Sequence, residues 1–348
     1  MIPLLAAALL SARLDTEPVL ATVERRVESM GTTLDLVVRM KGRAQALEAS
    51  EAALAEVRRV ESLLTTWKPG GELARVDAAP VGRPVPVSAE LVETLSEVFR
   101  WIPRTRGAFD PTVLPLVRVW GLRENGRIPA AVELAAARAA TGPEHFRIDV
   151  AGRTVARLAP AAGIDEGAWG KGYGLDRAAG ALTAAGVRSA LLDLGGQVLA
   201  VGSDTASSPW RVPVADPRNR ERTVLELGLA DRSASTSGDS ERSREVSGRR
   251  IGHLLDPHTG EPAADFGSVT VIAPSGLVAD VLSTALFVLG PGAGLELSAE
   301  LRRQGISQEV LFLIVRDDHL EAAASPGIAS LVLGADSHVV HGLTTPTP

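Results

Sequence analysis

Cysteine is absent from the 348 residues, which excludes disulfides, thiolate metal ligands, a cysteine nucleophile and an N-terminal cysteine bearing a lipid anchor. Lysine occurs only at 41, 68 and 171, so nearly all positive charge is arginine. That reads as genomic composition, and it makes a lysine inside a motif worth noting. There is no basic excess: 36 Lys and Arg stand against 42 Asp and Glu, a formal net charge of −6. The basic stripe that phosphate-backbone binding needs is missing, so nucleic acid is not an expected partner. No apolar run reaches the roughly 18 residues that span a bilayer. What is present is 45% apolar and 22% charged residues, enough for a substantial core and unlike a disordered chain.

Met1 to Ala12 (MIPLLAAALLSA) has the length of a secretory h-region but lacks a basic n-region, and a plain tail would look the same. Residues 1–27 are expected to be such a tail or signal segment, 28–335 one unit, and 336–348 a C-terminal tail. Thr33 to Val38 is β-rich and predicts a strand; Ala44 to Leu64 predicts a helix stopping before Lys68-Pro69-Gly70-Gly71. Ser88 can cap a helix running to about Trp101, Glu133 to Ala140 suggests a short one, and 145–159 reads as a hairpin around Gly152. A glycine-rich loop then leads into a helix near Leu175–Ala185. Strands follow at 189–194, 197–202, 210–215 and 223–229. Asp231 to Arg250 reads as a polar separator before a strand at Ser268–Ala273. Helices at about 277–289 and 293–304 and strands near 309–316 and 329–333 complete the pattern. Mixing without regular alternation predicts an α+β fold, mixed sheets with packed helices and a cleft between two lobes.

Three constellations bear polar chemistry. Gly163 to Asp176 carries five glycines in twelve residues ahead of a helix, with Lys171 among them. Such a segment lets backbone N–H groups approach an anion, and it is equally a tight strand-to-helix turn; it is neither a P-loop nor the dinucleotide fingerprint. Asp280 and Thr284 lie four residues apart on an otherwise apolar helix and share a face. A buried carboxylate there needs a partner or a hard cation such as Mg²⁺, whereas a helix-start Asp can also cap its own backbone and Thr284 can bond back to a carbonyl. His253 precedes the turn Asp256-Pro257-His258-Thr259-Gly260 and can act as a base near neutral pH, although most single histidines are structural.

In order, these pieces resemble the flavin transferases of the ApbE type, the FAD:protein FMN transferases. The resemblance runs from about 28 to 335 through Met30-Gly31-Thr32, Gly107-Ala108-Phe109-Asp110-Pro111-Thr112-Val113 and Trp120-Gly121. It continues with Ile164-Asp165, Gly170-Lys171-Gly172-Tyr173, Asp193-Leu194-Gly195-Gly196, Thr236-Ser237-Gly238-Asp239, His253-Leu254-Leu255-Asp256-Pro257 and Ala279-Asp280 with Ser283-Thr284-Ala285. It implies a two-lobed fold with FAD in the cleft, and an enzyme that splits FAD at its pyrophosphate, attaches FMN to a Thr or Ser of an acceptor flavoprotein and releases AMP. It implies Mg²⁺ held by the Ala168 carbonyl, Asp280 and Thr284. FAD contacts would fall at Met30, Phe109, Asp110, Asp165, Lys171 and the backbone near Leu254, with Trp67 stacking on the isoalloxazine where the family more often has Tyr. On matched position His253 is the base, with Asp165 second. The chain departs from the pattern at Thr65-Thr66-Trp67, at Glu166-Gly167-Ala168-Trp169 and after Asp239. Expected partners are FAD and the acceptor protein, with a homodimer as an open option. Export is the expected location, with the cytoplasm as the alternative. A Mg²⁺-dependent FAD pyrophosphatase and a non-catalytic FAD-binding protein are the competing functions.

Overall fold

The computed structural model describes residues 20–67, 70–239, 243–336 and 340–342. At its centre is a nine-stranded sheet whose spatial order follows the chain. Its strands are β1 (Ala21–Ser29), β2 (Thr32–Met40), β3 (Ser189–Leu194), β4 (Gln197–Gly202), β5 (Arg232–Gly238), β6 (Gly267–Ala273), β7 (Glu309–Val315), β8 (Leu320–Ala324) and β9 (Val340–His341). All neighbours are antiparallel except β8 and β9. Ordered pairing thus begins ahead of the boundary expected at 28 and extends past 335. Met1 to Ala12, Lys68-Pro69 and the tail Thr344–Pro348 lie outside the described residues.

One face of the sheet carries three helices: α1 (Arg43–Leu64), α2 (Gly170–Ala184) and α3 (Gly276–Arg303). α3 breaks at Gly290, whose φ of 75° and ψ of 173° are not helical, and Pro291 starts the second piece. By length and composition α3 could cross a membrane, but 56% of its apolar window is buried in the protein, and it packs against β5 and β6. The other face is covered by a three-stranded sheet of Trp210–Asp216, Asn219–Leu229 and Val332–Ala335. Between α1 and α2 the chain inserts a second layer of short helices, including Ala89–Phe99 capped by Ser88, and a small sheet with the hairpin Phe146–Asp149/Thr154–Arg157. A single core joins this insert to α3, β6 and β7. The α+β expectation holds.

Two expectations fail for physical reasons. The polar separator contains β5, a central strand, because Ser233, Ser235 and Ser237 are buried with their hydroxyls bonded to Val198 and Ser283. The glycine-rich stretch is not a loop up to 175: α2 begins at Gly170. Its glycines allow helices to touch. A Cβ on Gly276 would lie 2.6 Å from the Gly172 carbonyl, and one on Gly172 would overlap the Gly276 carbonyl outright.

Candidate active site

The α2–α3 crossing sets the position of the buried carboxylate. Ser275 is the N-cap of α3, and Asp176 of α2 accepts from the Ser275 hydroxyl at 2.7 Å and the Leu277 amide at 3.0 Å. Asp280 is therefore not a local cap. It is 4% exposed, and its Oδ2 accepts from the Gly172 amide on the neighbouring helix at 3.0 Å. Burial pushes its carboxyl up, opposed by Lys171 and by the Gly172 amide. Ser283 bonds back to the Asp280 carbonyl at 3.0 Å, whereas the Thr284 hydroxyl, half-buried on the face shared with Asp280, has no hydrogen bond among the described residues. A buried acid with an unengaged alcohol one turn away is a donor pair suited to a hard cation. No cluster of three or more His, Cys, Asp or Glu among the described residues could hold a metal by itself. An ion here would rely on neutral oxygens as well, such as the carbonyl of Ala168 in the turn before α2.

Four amides of the glycine-rich segment are engaged within the protein. Gly167 N–H donates to Asp165 at 2.8 Å, Trp169 and Gly170 donate to the Glu166 carbonyl, and Gly172 donates to Asp280. The glycines also serve close packing. Met30 belongs to this packing too. It holds a left-handed backbone (φ 51°) in the β1–β2 turn, and its Sδ sits 3.3 Å from where a Gly174 Cβ would be.

A second cluster lies where three loops meet. Asp165 N–H donates to the Pro111 carbonyl at 2.7 Å, which joins the Asp165 loop to the Phe109–Thr112 segment. Asp110 accepts from the Thr112 amide and hydroxyl at 2.8 and 2.7 Å, and burial raises its carboxyl. The Phe109 ring is 1% exposed and belongs to the core, so Phe109 presents no ring to a ligand. Arg123, which lies in no motif singled out above, reaches Asp165 at 2.6 Å and the Thr66 hydroxyl and carbonyl at 2.6 and 3.1 Å. Its guanidinium lies 4.6 Å from the centre of the Trp67 ring. Glu166 is buried and raised by desolvation, then by the charge of Asp165; it accepts from the Thr66 hydroxyl at 2.6 Å. Asp77 accepts from the Ile164 amide at 3.0 Å, and burial raises it to about 7.

His253 is brought to the end of β5. Its Nδ1 lies 3.7 Å from Oδ1 of Asp239, a buried residue raised to about 6 by desolvation and by the charge of Asp265. Gly252 leaves the room for that carboxylate, since a Cβ there would overlap it. The strand carrying Asp239 touches α3 through Ser235 and Ser237 to Ser283, at 3.1 and 3.0 Å. Leu254 is buried, and its carbonyl accepts from Ala263 at 2.8 Å. The following turn closes on the Phe109 loop, with His258 Nε2 at 3.1 Å from the Arg106 carbonyl. The contacts thus form three groups: Asp165 with Arg123, Thr66 and Trp67; Asp239 with His253; and Asp280 with Gly172 at the α2–α3 crossing, beside Lys171. Arg123 and the pairing of Asp239 with His253 were the parts the sequence reading missed. Asp239 stood inside a motif already picked out; Arg123 had no such signal.

A family model described as the ApbE family matches residues 30–307. An FAD:protein FMN transferase of Klebsiella pneumoniae is 33% identical over 302 residues, which is 84% of each chain. The solved flavin transferase ApbE from Vibrio cholerae superposes with a TM-score of 0.78 at 28% identity, covering 90% of this chain and 99% of that one. The ApbE protein of Thermotoga maritima gives the same TM-score at 29% identity, over 84% and 94%.

Proposed function

Because the chain belongs to the ApbE family, we infer that it is an FAD:protein FMN transferase, and we propose a Mg²⁺-dependent reaction on a Thr or Ser hydroxyl of an acceptor flavoprotein. In this reaction the hydroxyl oxygen forms a bond to the FMN phosphorus, the pyrophosphate bond breaks, AMP leaves and a phosphoester remains. Phosphoryl transfer demands positioning and charge neutralisation more than covalent help.

The observation that carries this reading is the Asp280 carboxylate, pinned to the Gly172 amide at 3.0 Å with the Thr284 hydroxyl one turn away. Asp280, Thr284 and the Ala168 carbonyl would hold Mg²⁺, which when bound supplies charge neutralisation at the diphosphate. Lys171 adds a cation beside the same acid, which its lowering effect on the Asp280 carboxyl reflects. His253 takes the proton from the acceptor hydroxyl, and Asp239 places a carboxylate 3.7 Å from its Nδ1. Asp165, tied to Arg123, is the second base candidate and a flavin-side contact. Trp67, 60% exposed, offers an indole face to the flavin ring. The buried Phe109 ring leaves only the backbone of that loop as a contact. Export is proposed on Met1–Ala12, and the N-terminal sequence of the mature protein from fractionated cells tests it.

Incubation with FAD, Mg²⁺ and a flavin-acceptor domain tests the main reading. Covalent FMN on the acceptor, found by mass spectrometry, supports it. Free FMN plus AMP replaces it with a pyrophosphatase, and unchanged FAD replaces it with a binding protein.

A further inference from the structure

Trp67 is a large apolar ring left 60% exposed on a short segment just after α1. An indole in that position has two torsions to fix and no core to fix them. Four hydrogen bonds hold the residue before it from the polar side. Arg123 donates to the Thr66 carbonyl at 3.1 Å and to the Thr66 hydroxyl at 2.6 Å. Glu166 accepts from the Thr66 amide at 3.3 Å and the hydroxyl at 2.6 Å. Every polar group of the residue before Trp67 is thereby engaged. The Arg123 guanidinium then covers one face of the indole at 4.6 Å, which leaves the other face for a planar ligand. The same guanidinium binds Asp165 at 2.6 Å, and Asp165 holds the Gly167 amide at 2.8 Å in the turn leading to α2. Arg123 therefore spans from the ring platform to the loop that leads into α2, the helix whose Gly172 amide holds Asp280.

Resting on the functional reading above, we propose that Arg123 is a positioning residue that sets Trp67 as the platform for the flavin ring of FAD and fixes its offset from the diphosphate end. Thr66 and Glu166 complete this clasp. A guanidinium suits this place: it forks between Thr66 and Asp165 while lying over the indole, which an ammonium does not do.

The test compares wild type, Arg123→Ala, Trp67→Ala and the double variant, by FAD titration with flavin absorbance and by steady-state transfer. Arg123→Ala should raise KM for FAD roughly tenfold while kcat stays within about threefold, and should abolish the spectral shift of stacked flavin. In the Trp67→Ala background the same change should alter affinity by less than about twofold, because the two act as one unit. Arg123→Lys should not restore the spectral shift. Thr66→Val, which keeps the shape and removes the shared hydroxyl, should shift KM in the same direction, and it supplies the measurement if Arg123→Ala does not fold. Equal losses in both backgrounds, or a fall in kcat at constant KM, overturn the proposal. A wild type that binds no FAD overturns the functional reading itself, whereas a wild type that binds and transfers beside an indistinguishable Thr66→Val and Arg123→Ala overturns this inference alone.

Discussion

The amide of Gly172 donates to the carboxylate of Asp280 at 3.0 Å across two helices that meet through bare backbone, with Gly276 facing Gly172. One contact thus fixes both a packing distance and the position of the acid. Gly172→Ala would drive a methyl group into the Gly276 carbonyl, which belongs to a helix start and cannot swing aside. Overpacking of this kind costs about 1–3 kcal/mol, and here it should also pull the amide away from Asp280. Thermal unfolding should show a lowered Tm together with reduced transfer; a variant as stable and active as wild type would remove the packing argument.

Asp280→Asn separates the cost of the charge from its use. Burial raises the Asp280 carboxyl, so the ionised form opposes folding in the metal-free protein. The amide should leave the metal-free Tm unchanged or higher. Mg²⁺ should raise the Tm of the wild type, and in the variant that rise should vanish, along with turnover. A retained Mg²⁺ shift places the ion elsewhere.

Asp77 predicts a pH dependence of stability. Its folded-state value of about 7 lies above the ordinary 3.8, through burial. Between those values the native state binds more protons than the unfolded one, so stability falls as pH rises across that window. The stabilisation is complete below about pH 4 and lost above about pH 7. Asp77→Asn, which keeps the shape, should flatten this component and be more stable than wild type at pH 8. Denaturant midpoints at pH 5 and pH 8 decide it: an unchanged difference between the two pH values rejects Asp77 as its source.

Much of this architecture was legible because local rules agreed with global packing. α1, the Ser88-capped helix and the Gly290–Pro291 break in α3 all follow from spacing, capping and breakers. β1 escaped notice because its outer face carries charge, with Arg26 paired to Asp35 across the hairpin at 2.6 Å. β5 escaped because its buried positions are serines, satisfied only by partners distant in the chain. The site divides the same way. Asp280 and Thr284 announce themselves by polarity on an apolar helix. Arg123 is one arginine among many, and its importance comes wholly from Thr66, Asp165 and Trp67 meeting around it.

His253 and Asp239 give the last prediction. The ring and the carboxylate face each other at 3.7 Å, and Asp239 is poorly solvated, so its charge acts on His253 in a weakly screened setting. If His253 removes the acceptor's proton, the cation that forms is stabilised by ionised Asp239. His253→Ala should slow transfer by about 10²–10⁴ with FAD affinity retained. Asp239→Asn should slow it less, because the base remains and only its charge support is lost. The loss in Asp239→Asn should also grow as pH rises from 5 to 8. Wild-type Asp239 titrates near 6, so its supporting charge is fuller at the upper end, whereas the amide is neutral throughout. Single-turnover transfer rates at both pH values, with FAD saturating, read this directly. A pH-independent ratio of wild type to Asp239→Asn means that the carboxylate shapes the loop through Gly252 and the His253 backbone and has no electrostatic part in the proton transfer.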